Sequence, residues 1–81
     1  MAYNNLGTYL SDQGEIERAM ACFQKSLAIN SNYDEAHSNL GYCLAKLGRR
    51  TEAEEQLALA LRQRPGYPEA QRELEALKGL K

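Results

Sequence analysis

The sequence predicts an all-α fold, an α-solenoid of two antiparallel helix-turn-helix repeats with a 34-residue period, followed by a capping helix. Three observations predict it. The chain repeats itself at an interval of 34 residues, apolar residues recur at helical spacing within each copy, and glycine or turn residues stand at equivalent places between helices. With 81 residues the chain has room for a single domain, residues 1–81.

The internal repeat emerges when the sequence is shifted by 34 residues against itself. Nine identities then join residues 2–33 to residues 36–67, and a fixed period of this size indicates stacked repeats. The identical pairs are Ala2 and Ala36, Asn5 and Asn39, Leu6 and Leu40, Gly7 and Gly41, Leu10 and Leu44, Gly14 and Gly48, Ala19 and Ala53, Leu27 and Leu61, and Tyr33 and Tyr67. A third copy begins near Glu69 and ends after one helix.

Each copy carries two apolar stripes at helical spacing. In the first copy they are Ala2, Leu6 and Leu10, then Ile16, Ala19, Phe23, Leu27 and Ala28. In the second they are Ala36, Leu40 and Leu44, then Ala53, Leu57, Ala60 and Leu61. Gly14 and Gly48 stand where each first helix must end, because glycine readily adopts the left-handed backbone of a helix terminus. The pattern therefore predicts helices over residues 2–13, 16–29, 34–46, 50–63 and 68–78.

This register resembles the tetratricopeptide repeat family. The residues that carry the resemblance are Leu6-Gly7, Leu10, Gly14, Ala19, Phe23 and Leu27, then Leu40-Gly41, Leu44, Gly48, Ala53, Leu57, Ala60, Leu61 and Pro65. The resemblance implies two repeats, residues 1–33 and 34–67, in a right-handed superhelix with a capping helix over residues 68–81. Departures from the family pattern are Tyr3, Ser26, Ser31 and His37, none of which breaks the helix pattern.

Small residues stand where paired helices are expected to cross. Gly7 and Gly41 lie on the first helices, and Ala19 and Ala53 on the second helices. Removing side-chain bulk at these positions lets two helices approach at the short end of the usual range of about 8 to 10 Å. Larger residues here are expected to force the helix pairs apart.

Composition and charge exclude several classes of protein. Apolar residues make up 43% and charged residues 26%, which is typical of a globular chain rather than a disordered or membrane-spanning one. Lys and Arg number 10 against 11 Asp and Glu, so the basic excess of nucleic-acid binders is missing. No signal peptide or transmembrane segment is recognisable, which makes a cytoplasmic location the default expectation.

No catalytic or metal-binding pattern is present in the sequence. Cys22 and Cys43 are too far apart for a Cys-x-x-Cys motif and are expected to be small core thiols. Together with His37 they lack the short paired spacing and the fourth ligand of a zinc site. His37 is expected to be a partly buried packing residue with one satisfied nitrogen. We therefore expect a protein that is not an enzyme and needs no cofactor or metal.

The remaining class of function is binding. Stacked hairpins turn slightly at each repeat, so the first helices line a concave groove. If the chain follows the family it resembles, the peptide-binding residues of this face are Asn4, Asn5, Thr8, Asp12, Glu35, Ser38, Asn39, Tyr42, Lys46 and Arg72, with Ser11, Glu69 and Glu73 on the same face. The expected partner is a protein or an extended peptide, with no nucleic acid and no membrane.

Asn5 and Asn39 are the strongest candidates within this face, because they recur in register. A side-chain amide offers two donors and one acceptor, and it can bond a peptide main chain whatever the peptide's side chains are. In peptide-binding members of the family, similarly placed asparagines form a ladder along an extended ligand. The alternative is that each asparagine bonds to a neighbouring helix or to water.

Another mode of the family grips the C-terminal carboxylate of chaperones through Lys, Arg and Asn. Carried over to this sequence, Asn39 matches, but the expected basic positions hold Asn4, Glu69 and Glu73. Two acidic side chains would repel a carboxylate. We therefore expect a neutral or basic peptide rather than a chaperone tail.

Two functions remain open. The first is an adaptor or scaffold that binds its partner in the groove. The second is a structural spacer or self-association element, a fragment of a longer array that stacks on itself or on neighbouring repeats through its uncapped N-terminal helix. The sequence is compatible both with the C-terminal portion of a longer array and with a natural two-repeat protein.

Overall fold

The computed structural model describes residues 2–79, which form five α-helices. In chain order they are α1 (Ala2–Asp12), α2 (Ile16–Ile29), α3 (Asp34–Lys46), α4 (Arg50–Gln63) and α5 (Pro68–Gly79). No β-strand occurs in this part of the chain, so the predicted all-α fold is confirmed. The predicted helix bounds hold except at two ends. Helix α1 ends one residue before its predicted end, and α5 ends one residue after it. None of the five helices is long and apolar enough to cross a membrane.

The first helix of each pair ends in the same glycine-based motif. Gly14 has a φ of 82° and Gly48 a φ of 79°, which is the left-handed region that glycine tolerates best. After α1, the Gly14 N–H donates to the Ser11 carbonyl and the Glu15 N–H donates to the Leu10 carbonyl. The same bonds recur after α3, 34 residues later. These bonds satisfy carbonyls that a helix end leaves free, and they turn the chain sharply into the next helix.

The starts of α3 and α5 also follow from their first residues. Asp34 and Glu35 open α3, where carboxylates favour the positive end of the helix dipole. Pro68 opens α5, where proline loses no helical hydrogen bond because the first N–H groups have no acceptor within the helix. The sequence signals for helix starts and ends therefore agree with the structure at both junctions.

The five helices stack in chain order. Three or four residues join each helix to the next, so neighbouring helices run antiparallel. Helix α2 packs against both α1 and α3, and α4 packs against both α3 and α5. The first helices α1, α3 and α5 also touch in succession. The buried apolar core runs through this stack and consists of Leu10, Ala19, Cys22, Phe23, Leu40, Cys43, Leu44, Ala53, Leu57, Ala60, Tyr67, Ala70 and Leu77.

Within each pair, a glycine of the first helix lies directly against a side chain of the second helix. A Cβ atom on Gly7 would lie 2.6 to 2.9 Å from three ring carbons of Phe23. A Cβ atom on Gly41 would lie 2.8 Å from Leu57 Cγ and 3.2 Å from the Ala53 carbonyl oxygen. The distances to the Phe23 ring and to Leu57 Cγ are too short for carbon contacts, so a Cβ atom at either glycine would force the facing side chain to move. Glycine therefore permits the close packing at both crossings, as the sequence predicted.

Ser26 is a polar residue that is buried in α2. Ser26 is 1% exposed, and within residues 2–79 its Oγ has no hydrogen-bond partner. Because burial removes the hydroxyl from water without replacing its hydrogen bonds, Ser26 is expected to cost stability.

Replacing Gly41 with alanine is expected to destabilise the protein by about 1 to 2 kcal/mol. Overpacking against Leu57 and the Ala53 carbonyl costs about 1 to 3 kcal/mol, and the better helix propensity of alanine recovers up to about 1 kcal/mol. The matched control is Gly79→Ala, because among residues 2–79 no packing neighbour lies within 4 Å of a Cβ atom at Gly79. Urea unfolding of both variants provides the measurement. A Gly41→Ala variant as stable as Gly79→Ala would contradict the close approach.

Replacing Ser26 with alanine is expected to raise the free energy of unfolding by about 1 kcal/mol. The change removes an unsatisfied buried hydroxyl and improves helix propensity. Ser31→Ala serves as the control, since Ser31 is exposed and the substitution should change stability by less than about 0.5 kcal/mol. Loss of stability in the Ser26→Ala variant would show that the hydroxyl has a partner after all.

Candidate peptide-binding groove

The first helices α1, α3 and α5 form the walls of an open cavity of about 280 Å³. It is lined by Thr8, Ser11 and Asp12 of α1, by Ser38, Asn39 and Tyr42 of α3, by Glu69, Arg72 and Glu73 of α5, and by Phe23 of α2. The volume lies just below the range of about 300 to 1,000 Å³ that is typical of small-molecule sites.

The structure brings six of the ten predicted contact residues together around this cavity. They are Thr8, Asp12, Ser38, Asn39, Tyr42 and Arg72. The other four, Asn4, Asn5, Glu35 and Lys46, do not line it. Ser11, Glu69 and Glu73, which the sequence places on the same face, do line it. Phe23 was predicted only as a core residue. In the structure its ring lies against Gly7 and also lines the cavity.

Asn4 and Asn39 form a hydrogen bond between neighbouring first helices. The Asn39 Nδ2 group donates to Asn4 Oδ1 over 3.0 Å, and Asn4 is only 5% exposed. The Thr8 hydroxyl donates to the Asn4 carbonyl oxygen, also over 3.0 Å. Asn5, which aligns with Asn39 in the repeat, is exposed. The Asn39 amide therefore keeps its oxygen and one N–H for other partners, whereas Asn4 is a buried structural residue.

Two tyrosines occupy equivalent positions before the first helices α3 and α5. Tyr33 precedes α3, and its hydroxyl donates to Glu35 Oε1 over 3.3 Å; Tyr67 precedes α5 and is buried. Burial is the main cause that raises the pKa of both tyrosines. The ring of Tyr67 is covered by Arg64, whose guanidinium carbon lies 4.5 Å from the ring centroid.

Negative charge predominates at the rim of the cavity. Asp12, Glu69 and Glu73 face it together with Arg72. Within residues 2–79 no ion pair involves these three carboxylates, whereas on the outer surface Arg18, Arg49 and Arg50 pair with Glu15, Glu52 and Glu54. Lys46 lies beside the groove with its Nζ 5.3 Å from the Tyr42 ring centroid. The carboxylates of the groove are therefore available to a cationic partner.

Cys43 is a core residue of α3. It has no exposed surface, and burial raises the pKa of its thiol from 9.0 to about 11. Cys22 is also buried and free, so both thiols are core residues as predicted.

His37 has more hydrogen bonds than the sequence predicted. Its Nε2 lies 2.9 Å from the Ser31 carbonyl oxygen and its Nδ1 lies 2.8 Å from Gln56 Oε1. A carbonyl oxygen only accepts, so Nε2 donates to Ser31. The prediction of one satisfied nitrogen was wrong, because the sequence did not show that the second helix of the pair would present an amide to the ring. Within the described residues no group of three His, Cys, Asp or Glu side chains converges as a metal site requires.

Cys43 is expected to resist alkylation in the folded protein. At pH 8 a thiol with a pKa of about 11 is ionised roughly 100-fold less than an ordinary thiol, and only the thiolate reacts. Iodoacetamide labelling with peptide mapping, in buffer and in urea, measures this. We expect labelling of Cys43 in urea and almost none in buffer. Equal rates under both conditions would show that the thiol is not buried.

Comparison with known proteins gives a family and a set of similar folds. A family model described as Tetratricopeptide repeat matches residues 10–77. Protein O-mannosyl-transferase Tmtc3 of Drosophila melanogaster is 38% identical over 53 residues, which is 65% of this chain and 6% of that protein. The chain therefore corresponds to a small part of this relative's length.

Solved structures agree with the family match at the level of fold. The second TPR of Spaghetti (RPAP3), bound to the HSP90 peptide SRMEEVD, has a TM-score of 0.91 and 19% identity, covering 95% of this chain and 71% of that one. The second TPR domain of human RPAP3, in complex with the HSP70 peptide SGPTIEEVD, has a TM-score of 0.91 and 22% identity, covering 96% of this chain and 65% of that one. From the family match and the stacked helix pairs we conclude that this chain belongs to the tetratricopeptide repeat family.

Proposed function

We propose that this protein is a non-catalytic adaptor module that holds an extended segment of a partner protein in the groove between α1, α3 and α5. The observation that carries the proposal is the cavity itself, which hydroxyl, amide, aromatic and charged side chains from three successive first helices line together. Similar folds are found bound to short peptides, which supports the same use of the groove.

Main-chain recognition is assigned to Asn39 and its neighbours. Asn4 holds one N–H of the Asn39 amide, which leaves the amide oxygen and the second N–H for a peptide backbone. The Thr8 hydroxyl donates to the Asn4 carbonyl and still accepts a bond from a ligand N–H. Tyr42 adds a half-exposed aromatic surface against which a ligand side chain can pack.

The charge of the groove favours a neutral or basic peptide. Asp12, Glu69 and Glu73 outnumber Arg72 around the cavity. The peptides bound to the two similar structures both end in EEVD, which carries three carboxylate side chains and a terminal carboxylate. The carboxylates of such a peptide would be repelled by the carboxylates of the groove. In addition, chaperone-tail binding calls for a cation at the position of Asn4, which is a buried neutral residue.

A charge-matched pair of peptides tests the preference. The acidic probe is the heptapeptide SRMEEVD, and the basic probe is its C-terminally amidated analogue with lysine in place of both glutamates and the aspartate. We expect the basic probe to bind more tightly in fluorescence anisotropy. Glu73→Lys should weaken its binding about 3- to 10-fold, while the control Glu55→Lys on the exposed face of α4 should not. Tighter binding of the acidic probe, or equal effects of both variants, would contradict the proposal.

The role of Asn39 is tested with its repeat partner Asn5 as the matched control. Asn39→Ala should lower the affinity for the basic probe more than Asn5→Ala does, because only Asn39 lines the cavity. The same change leaves the buried Asn4 amide without its partner, so unfolding in urea is measured in parallel. Unchanged affinity in folded Asn39→Ala protein would remove the amide mechanism but not the adaptor function.

The second candidate function is structural, as a spacer or self-association element. The observation that favours it is the exposure of Tyr3, Leu6 and Tyr9 along one face of α1. Sedimentation velocity over a wide concentration range checks self-association: growth of a larger species supports it, and a strictly monomeric chain at the highest concentration counts against it.

A further inference from the structure

The residues that line the cavity between α1, α3 and α5 lie at three depths. Phe23 and Ser38 are 1% and 4% exposed and form its floor. The half-buried lining residues form its walls, and they are Ser11, Asn39, Tyr42 and Glu73. The exposed lining residues form its rim, and they are Thr8, Asp12, Glu69 and Arg72. The cavity therefore combines a buried aromatic ring at its floor with a half-buried carboxylate in its wall.

The volume of the cavity suits one side chain of a bound peptide. A closed apolar cavity of about 150 Å³ is large enough to hold a benzene molecule. The cavity between the first helices measures about 280 Å³ and is open on one side. A space of this size admits one long side chain, while the main chain of the same residue stays at the opening.

Hydrogen-bond acceptors predominate in the lining. The Thr8 hydroxyl gives its hydrogen to the Asn4 carbonyl oxygen, so only its lone pairs are left for a ligand. The Asn39 amide gives one N–H to Asn4 and keeps its oxygen. Further acceptors are the carboxylate oxygens of Asp12, Glu69 and Glu73. A ligand group that only donates hydrogen bonds therefore suits this lining best.

The charges around the cavity favour the same kind of ligand. Within residues 2–79 the three carboxylates of the lining form no ion pair. Arg72 lines the rim beside them, and Lys46 lies outside the cavity with its Nζ 5.3 Å from the Tyr42 ring centroid. Because three carboxylates face one lining guanidinium, the cavity keeps an excess of negative charge that attracts a cation.

We propose that the cavity binds one arginine side chain of the partner peptide, with its guanidinium among the carboxylates and its stem against Tyr42 and Phe23. A guanidinium is flat and has five N–H donors and no acceptor, so it can bond several oxygens while it lies on an aromatic ring. The lysine ammonium is a compact, strongly hydrated charge that matches this lining less well. The inference rests on the adaptor function proposed above and names the side chain that the groove selects.

Single-residue probes test the pocket without a peptide. The Nα-acetyl methylamides of arginine, lysine and citrulline are each titrated into isotope-labelled protein, and binding is followed in amide NMR spectra. Citrulline resembles arginine in shape but carries no charge. We expect millimolar affinity for the arginine probe, about 3- to 10-fold weaker binding of the lysine probe, and the weakest binding of the citrulline probe. The resonances that shift should include those of Ser38, Asn39 and Tyr42.

Glu73→Gln provides the sharpest comparison, because Glu73 is the half-buried carboxylate of the wall and glutamine keeps its size. It should weaken binding of the arginine probe about 3- to 10-fold. Glu75→Gln is the matched control on the same helix, since Glu75 is exposed and does not line the cavity; it should change the affinity less than about 2-fold. Arg72→Gln should strengthen binding, because it removes a cation from the rim.

Three results would overturn the inference: no shift of the cavity resonances with the arginine probe, a lysine probe that binds as tightly as the arginine probe, or equal effects of Glu73→Gln and Glu75→Gln. The two heptapeptides described above judge the adaptor function separately. Binding of a heptapeptide without binding of the arginine probe would leave the adaptor function standing and remove the arginine pocket. Binding of the arginine probe without binding of either heptapeptide would support the pocket and count against the adaptor function.

Discussion

The close approach of two helices within each pair is the constraint on which the rest of the structure depends. At Gly7 the ring of Phe23 occupies the space of a Cβ atom, and at Gly41 the side chain of Leu57 does the same. Because α2 packs on both α1 and α3, the distance within a pair also fixes how the next pair sits. The cavity between α1, α3 and α5 exists because the first helices are held side by side at that spacing.

Polar contacts between the pairs reinforce this arrangement. Asn39 donates a hydrogen bond to the buried Asn4 of the preceding first helix. A buried amide without a partner costs about 1 to 3 kcal/mol, so a slipped or rotated second pair would be penalised at this point. The hydrogen bond between Asn39 and Asn4 therefore specifies how the second pair stacks on the first. It also orients the Asn39 amide, which lines the cavity.

The fold was predictable from the sequence because its signals are local and repeated. Gly14 and Gly48 end helices through their own backbone conformation, and the 34-residue period transfers each assignment to the next copy. The site was predictable only in part. Asn4 and Asn5 are adjacent on a helix that turns about 100° per residue, so which of them is buried depends on where α3 lies, and that is tertiary information. The place of Phe23 at the cavity, and the second partner of His37, depend on the helix crossing in the same way.

The most direct test of the close-approach constraint is the coupling free energy between Gly7→Ala and Phe23→Leu, measured by urea unfolding of both single variants and the double variant. Each single change should destabilise the protein, the first by overlap with the ring and the second by loss of buried surface. If the ring is what excludes a Cβ at Gly7, the double variant loses less stability than the sum of the two, by about 1 kcal/mol. Additivity within about 0.5 kcal/mol would contradict the constraint.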